Sequence, residues 1–197
     1  MQGNITKIAG HCYSCSLCAC ICPKHIISMR MGDDGFYRPK VTDESECLQC
    51  GLCLKVCSFA NELPMVDGKS VKGFATWSKN AAVRRKASSG GAGFEIARTL
   101  LAKSYKVIAV RYNAERQRAE HYVVETEEEL VQSMGSKYIQ SYPEEAFHSI
   151  KKGEKYLVTG TPCQIASMRR YVRMKKMEDD VVLMDFCCHG VPSKLLW

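Results

Sequence analysis

Two copies of one cysteine pattern constrain this chain more than anything else in it. They read Cys12-x2-Cys15-x2-Cys18-x3-Cys22-Pro23 and Cys47-x2-Cys50-x2-Cys53-x3-Cys57. Three cysteines two residues apart can wrap one cuboidal iron–sulfur cluster, and the fourth then leads into a short helix pointing away from it. In runs of this spacing the fourth cysteine ligates the other cluster. The expected ligand sets are therefore Cys12, Cys15, Cys18 and Cys57 for one 4Fe–4S cluster, and Cys47, Cys50, Cys53 and Cys22 for the other. Zinc and disulfides are the rivals. Zinc sites usually group cysteines in separated pairs and need only four ligands, and a disulfide scaffold needs an oxidising compartment.

The other cysteines and the composition agree with metal ligation. There are 12 cysteines in 197 residues, and residues 1–6 lack the basic and apolar regions of a signal peptide. A reducing, cytoplasmic setting is expected. No run of 18 apolar residues suggests a membrane span. The formal charge of +7 falls to about +3 once eight thiolates and two cluster cores of roughly +2 each are counted. That balance, without a zinc-finger or helix-turn-helix pattern, gives no case for nucleic acid.

The chain is long enough for one or two domains. Residues 1–64 read as a two-cluster ferredoxin-like module, too small for much of a hydrophobic core. Leu17, Ile21, Leu52, Leu54 and Val56 interleave with the ligands and would exclude water. Cys20 reads as a small buried side chain, and Ser58 stands where the first run has Pro23. Residues 26–31 and 36–41 flank Gly32-Asp33-Asp34-Gly35, which predicts a β-hairpin with an Asp-Gly turn, a lid over the clusters. Residues 65–72 read as a linker.

From residue 73 short apolar runs alternate with amphipathic stretches. Strands are expected over 73–78, 106–112, 121–125, 156–159 and 181–186. Helices are expected over 92–103, 127–134, 143–152 and 163–173, the first burying Phe94, Ala97, Leu100 and Leu101. The fold class is thus α+β: the ferredoxin-like module followed by an α/β domain with a mixed sheet. Arg169, Arg170, Arg173, Lys175 and Lys176 form a solvated face or a dock for an acidic redox partner. His11, His25, His121 and His148 lack metal-ligand spacing. No acid–base pair or nucleophile–base arrangement suggests hydrolysis.

Several loops carry chemistry-bearing residues. Ser88-Ser89-Gly90-Gly91 precedes a helix, where glycines admit a close ligand and the N-terminus attracts an anion, with Arg84, Arg85 and Lys86 nearby. A plain capping turn is the competing reading. Gly135-Ser136-Lys137-Tyr138 reads as a C-cap turn. Thr161-Pro162-Cys163-Gln164 lies at a strand end, where α/β folds place ligands. Cys187 and Cys188 follow another strand end; with Cys163 they could meet in space and bind metal, but a buried thiol is the better reading from spacing alone.

Taken in series with the module, these loops and Cys188-His189-Gly190-Val191-Pro192-Ser193 resemble the coenzyme F-420 hydrogenase/dehydrogenase beta-subunit family over nearly the whole chain. The resemblance implies an iron–sulfur flavoprotein oxidoreductase, with FAD bound and, as in some members, the deazaflavin coenzyme F-420 as hydride substrate. It makes Ser88, Ser89, Gly90, Gly91, Gly135, Ser136, Lys137 and Tyr138 flavin-pocket residues, and places Thr161 and Pro162 in the same cleft. Cys163 and Cys188 become ligands of a further cluster, with Cys187 beside the family position. It also implies that the family's chain runs past Ser193, so that residues 73–197 are the first part of a longer domain and the chain a fragment or a truncated frame. A redox partner protein or small carrier is expected. The alternative is a ferredoxin-like electron carrier whose second domain only docks that partner.

Overall fold

A computed structural model describes residues 4–62 and 68–196, without the side chains of residues 9–11. The chain enters through a 3-10 helix, Ile5–His11, and the first cysteine run leads into helix α1, Leu17–Ile21. Strands β1, Ile27–Met31, and β2, Tyr37–Val41, pair antiparallel with Met31 opposite Tyr37. The hairpin is therefore as expected, but its connection is a five-residue loop, 32–36, rather than a tight Asp-Gly turn. Gly35 holds a left-handed backbone (φ 74°), and Gly32 N–H reaches Phe36 O at 2.8 Å. Ile27 and Val41 of this hairpin line one of the thiol cavities. The second run leads into helix α2, Leu52–Val56. Of the expected linker, residues 65–67 lie outside the described residues, and Gly68–Ser70 form an exposed 3-10 turn.

Helix α3, Ala81–Lys86, was not expected; Asn80 caps it, its side chain accepting from Ala82 N–H and Val83 N–H. Residues 73–78, expected as a strand, belong to no sheet among the described residues. The segment carries the aromatic Phe74 and Trp77, but both point into solvent. Its anchor is Ser78 N–H donating to Gly90 O at 2.7 Å, a loop contact and not a ladder. Helix α4, Ala92–Leu101, follows, then β3, Lys106–Asn113, and β4, Arg118–Val124. Helix α5, Glu127–Leu130, is half the expected length and gives way to a 3-10 turn, Val131–Ser133. Thr126 and Glu129 form a capping box at its start. Then come a two-residue strand β5, Ser141–Tyr142, and helix α6, Glu144–His148. Pro143 is the N-cap of α6 and not part of it. Strand β6, Tyr156–Gly160, helix α7, Pro162–Lys175, and strand β7, Val181–Asp185, complete the regular elements before a 3-10 turn, Lys194–Leu196.

The sheet order is β5-β4-β3-β6-β7. Only β3 and β4 run antiparallel, as a hairpin; the other three pairings are parallel. Because side chains alternate along a strand, the two faces bury different sets. Val107, Ala109 and Leu157 pack with Ala97 of α4 and Leu130 of α5, Phe94, Leu100 and Leu101 lying against them. Ile108, Tyr156 and Val158 face the other way, onto Phe147 of α6 and Ile165, Met168 and Val172 of α7. Leu17, Ile21 and Val56 belong to that second cluster. Helices α1 and α2 are therefore part of the layer that covers the sheet, and the cysteine-rich half borrows the core that its own size denies it. A smaller cluster of Ile5, Ile26, Ile27 and Leu54 closes the far side of the cysteine-rich half. Among the described residues no helix is long and apolar enough to cross a membrane.

Candidate functional site

Both cysteine runs turn on the same backbone. Ser14 (φ 62°) and Ser16 (φ 60°) in the first are matched by Gln49 (φ 51°) and Gly51 (φ 70°) at the same positions in the second. Three of these four carry side chains in a left-handed region that costs about 1–2 kcal/mol each. The paired strain bends the chain so that the first three cysteines of each run face one volume. A five-residue helix, about 7.5 Å long, then carries the fourth cysteine away, and the chain leaves it extended at Cys22 and Cys57.

Helices α1 and α2 pack together, and the result is crossed. One cavity is lined by Cys12, Cys15, Cys18 and Cys57, with Ser16 among the other lining residues. A second is lined by Cys47, Cys50, Cys53 and Cys22. These are the two quartets expected from the spacing.

The thiols around these cavities are held in an environment that suits a metal–sulfur core. Burial pushes Cys15 up to about 12 and Cys18 well above the usual thiol range, with neighbouring cysteines adding to the effect. Cys12 and Cys53 are raised for the same main reason, and the other contributions include Cys57 acting on Cys12 and Cys22 on Cys53, across the two runs. A buried thiolate needs a cation at its sulfur, and a coordinated metal supplies it. Thiolate donors select zinc or iron–sulfur clusters. Among the described residues no three His, Cys, Asp or Glu side chains are placed to hold one metal ion. Each quartet instead surrounds a volume, which fits a polynuclear core better than a single zinc. Sulfur acceptors are already addressed by donors: Ser14 N–H lies 3.2 Å from Cys12 Sγ and Asn4 Nδ2 lies 3.7 Å from Cys47 Sγ.

A fifth thiol stands at the first cavity. Cys163, in the first turn of α7, is part of its lining, and its Sγ is 3.1 Å from Thr161 Oγ1. Ser58 clamps this approach, its N–H donating to Ser167 Oγ at 3.0 Å and its hydroxyl to Cys163 O at 3.3 Å. Cys187 and Cys188, expected as buried thiols, are instead exposed after β7, where the chain leaves the sheet, and line neither cavity. The two cysteines assigned together by resemblance thus have different surroundings. Cys20, off both cavities, has its Sγ 3.6 Å from His148 Nδ1. In the sequence Ser58 reads only as a missing proline after Cys57; its link to α7 is long-range and leaves no local signal.

The loops assigned to flavin divide. Ser136 N–H donates to Ser88 Oγ at 2.7 Å, bringing the 88–91 and 135–138 loops together. Gly91 caps α4 with φ 81°, and Gly90 has room for no side chain, since a Cβ would lie 2.9 Å from Thr76 O. Lys137 closes the turn before it, its Nζ donating to Ser133 O at 2.7 Å and Met134 O at 3.0 Å. Its half-burial lowers its proton affinity. Tyr138 is open to solvent. Thr161 and Pro162 start α7, where Gln164 Oε1 accepts from Thr161 N–H at 2.9 Å, so that this motif also has a capping role. Ser89 lies in the bend before α4.

Two family models match different parts of the chain. Residues 11–61 match the 4Fe–4S dicluster domain family. Residues 74–146 match the family described as coenzyme F-420 hydrogenase/dehydrogenase, beta subunit N-term. No curated protein matches the chain. Among solved structures, the fold is similar to a chain of the F-420-reducing NiFe hydrogenase complex from Methanosarcina barkeri, determined with xenon. The likeness has a TM-score of 0.52 at 22% identity and covers 67% of this chain and 50% of that one. This chain thus spans half the length of the structure it resembles. A match to a 4Fe–4S dicluster domain thus stands ahead of a match to a hydrogenase/dehydrogenase beta-subunit N-terminal region.

Proposed function

We propose that this chain is the cluster-bearing part of an iron–sulfur flavoprotein oxidoreductase, an internal wire between a flavin site in residues 73–197 and an outside electron carrier. The observation that carries the reading is the crossed sorting of eight cysteines into two thiol-lined cavities. Cys12, Cys15, Cys18 and Cys57 would hold one 4Fe–4S cluster, and Cys47, Cys50, Cys53 and Cys22 the other. When bound, a flavin supplies two-electron hydride chemistry and the clusters one-electron steps.

The residues give the wire a direction. The first cavity abuts Cys163 and Ser58, on the side of the sheet domain. At the second, Cys50 is exposed and Leu48 is 60% exposed, which suits contact with a redox protein or small carrier. Leu17, Val56 and Leu54, on the two helices that carry the cysteines, are buried and keep water from those helices. The joined loops at Ser88 and Ser136 are the best-supported part of the flavin assignment, with FAD as the flavin and a deazaflavin coenzyme as a hydride partner. A further cluster at Cys163 and Cys188 would need Cys188 to come in from the surface. A cytoplasmic setting follows from the thiol chemistry.

Anaerobic reconstitution, with iron, sulfide and flavin counted on this chain and on a version extended past Trp197, tests the reading. About eight irons and eight sulfides per chain, with one flavin retained by the longer version, are expected for two 4Fe–4S clusters and one flavin. Eight irons with no flavin on either would leave the ferredoxin-like carrier with a docking domain.

A further inference from the structure

Ser16 is a helix N-cap that does not cap. A serine in that place normally accepts a hydrogen bond from an N–H in the first turn. Ser16 makes no such bond to α1, and its backbone is left-handed, at φ 60° and ψ −1°. The residue is 1% exposed, and its hydroxyl is buried without a partner among the described residues. Ser16 also lines the cavity ringed by Cys12, Cys15, Cys18 and Cys57. At the matching place in the second run stands Gly51, left-handed without side-chain strain and with no hydroxyl to satisfy. A serine that is strained, buried and unsatisfied where the repeat shows that glycine serves has a use other than folding.

We propose that the Ser16 hydroxyl donates a hydrogen bond to a sulfur of the cluster in the first cavity and thereby raises that cluster's reduction potential. The proposal rests on the iron–sulfur reading above and adds to it a tuning residue. One-electron reduction places an extra negative charge on the cluster, and a donor aimed at sulfur stabilises the reduced form more than the oxidised one. The O–H bond stays intact, and the step takes up one electron and no proton. The second cluster lacks this donor, so the repeat that builds two similar cages also makes them unequal.

Reconstituted wild type, Ser16→Ala and Gly51→Ser are titrated potentiometrically, with visible absorbance and electron paramagnetic resonance as readouts, after iron and sulfide are counted. Ser16→Ala is expected to lower one of the two potentials by about tenfold in the reduction constant, about 59 mV for one electron, while the other stays in place. Gly51→Ser is expected to raise the other. Full iron content with both potentials unmoved in Ser16→Ala overturns the proposal and leaves the iron–sulfur reading intact. Wild type without clusters overturns both. Should Ser16→Ala hold only one cluster, Gly51→Ser decides: an upward shift supports the proposal and an unchanged potential overturns it.

Discussion

The backbone N–H of Ser136 donates to the hydroxyl of Ser88 at 2.7 Å, joining two loops that are 48 residues apart in the chain. Neither loop is a strong signal alone, and each has a capping explanation. Their junction brings the two loops proposed to hold flavin to one place. Ser88→Ala removes one neutral hydrogen bond worth about 1 kcal/mol, so flavin affinity on the extended chain should fall roughly fivefold. Fluorescence of flavin released at equilibrium measures this. An unchanged affinity would take Ser88 out of the pocket.

The crossing of the cysteine runs makes a second prediction, which iron counting can resolve. Cys57→Ser should leave about four irons, because a lost ligand costs one cluster of two. Cys12→Ser combined with Cys57→Ser should also leave about four, since both act on the first cavity. Cys22→Ser combined with Cys57→Ser should leave close to none, since they act on different cavities. Uncrossed ligation would leave close to none in both double variants, so the Cys12→Ser, Cys57→Ser pair is the one that decides.

The grouping of the cysteines around two cavities was legible in the sequence because it is mostly local: six of the eight are brought together by turns of two or three residues. The sheet was legible where apolar runs were long, as in β3 and β6. The segment 73–78 misled because a short run with two aromatic residues reports composition and not a partner, and Phe74 and Trp77 are exposed. Helices α5 and α6 were overdrawn because their expected spans continue into turns that no proline or glycine announces at the break. Cys163 could be placed at a strand end but not at the first cavity, since that position depends on α7 packing against α2. The inequality of Ser16 and Gly51 was visible in the repeat, but a left-handed, uncapped serine is a backbone fact.

Sharing of one core between the cysteine-rich half and the sheet predicts joint unfolding. Leu17 is fully buried with Phe147, Ile165 and Met168 in its cluster. Leu17→Ala should cost about 2–5 kcal/mol. The loss should appear equally in cluster absorbance and in far-ultraviolet circular dichroism during urea unfolding, as a single cooperative transition requires. A variant that loses cluster absorbance early while the sheet signal keeps its wild-type midpoint would mean that the two halves are energetically separate.

His121 gives the fold a pH dependence that can be isolated. Its ring lies on β4, 3% exposed, edge-on to Phe147 at 5.1 Å. Neither ring nitrogen has a hydrogen-bond partner among the described residues. Burial pushes its pKa down to about 4, against an opposing pull from the Thr159 backbone, which lies near the ring without a well-formed hydrogen bond. The unfolded chain titrates near 6.5. Between these values the unfolded state binds a proton that the folded state refuses, so stability is full above about pH 6.5 and falls as pH drops toward 4. The loss across that whole window is on the order of 3 kcal/mol. His121→Leu keeps an apolar side chain against Phe147 and removes the titration. Urea midpoints measured at pH 7.5 and pH 5 should then diverge less for the variant than for wild type, by roughly 2 kcal/mol in unfolding free energy. Equal divergence would mean that His121 is solvated or paired in the folded chain, and that the face of the sheet it shares with Phe147 is wetter than the packing describes.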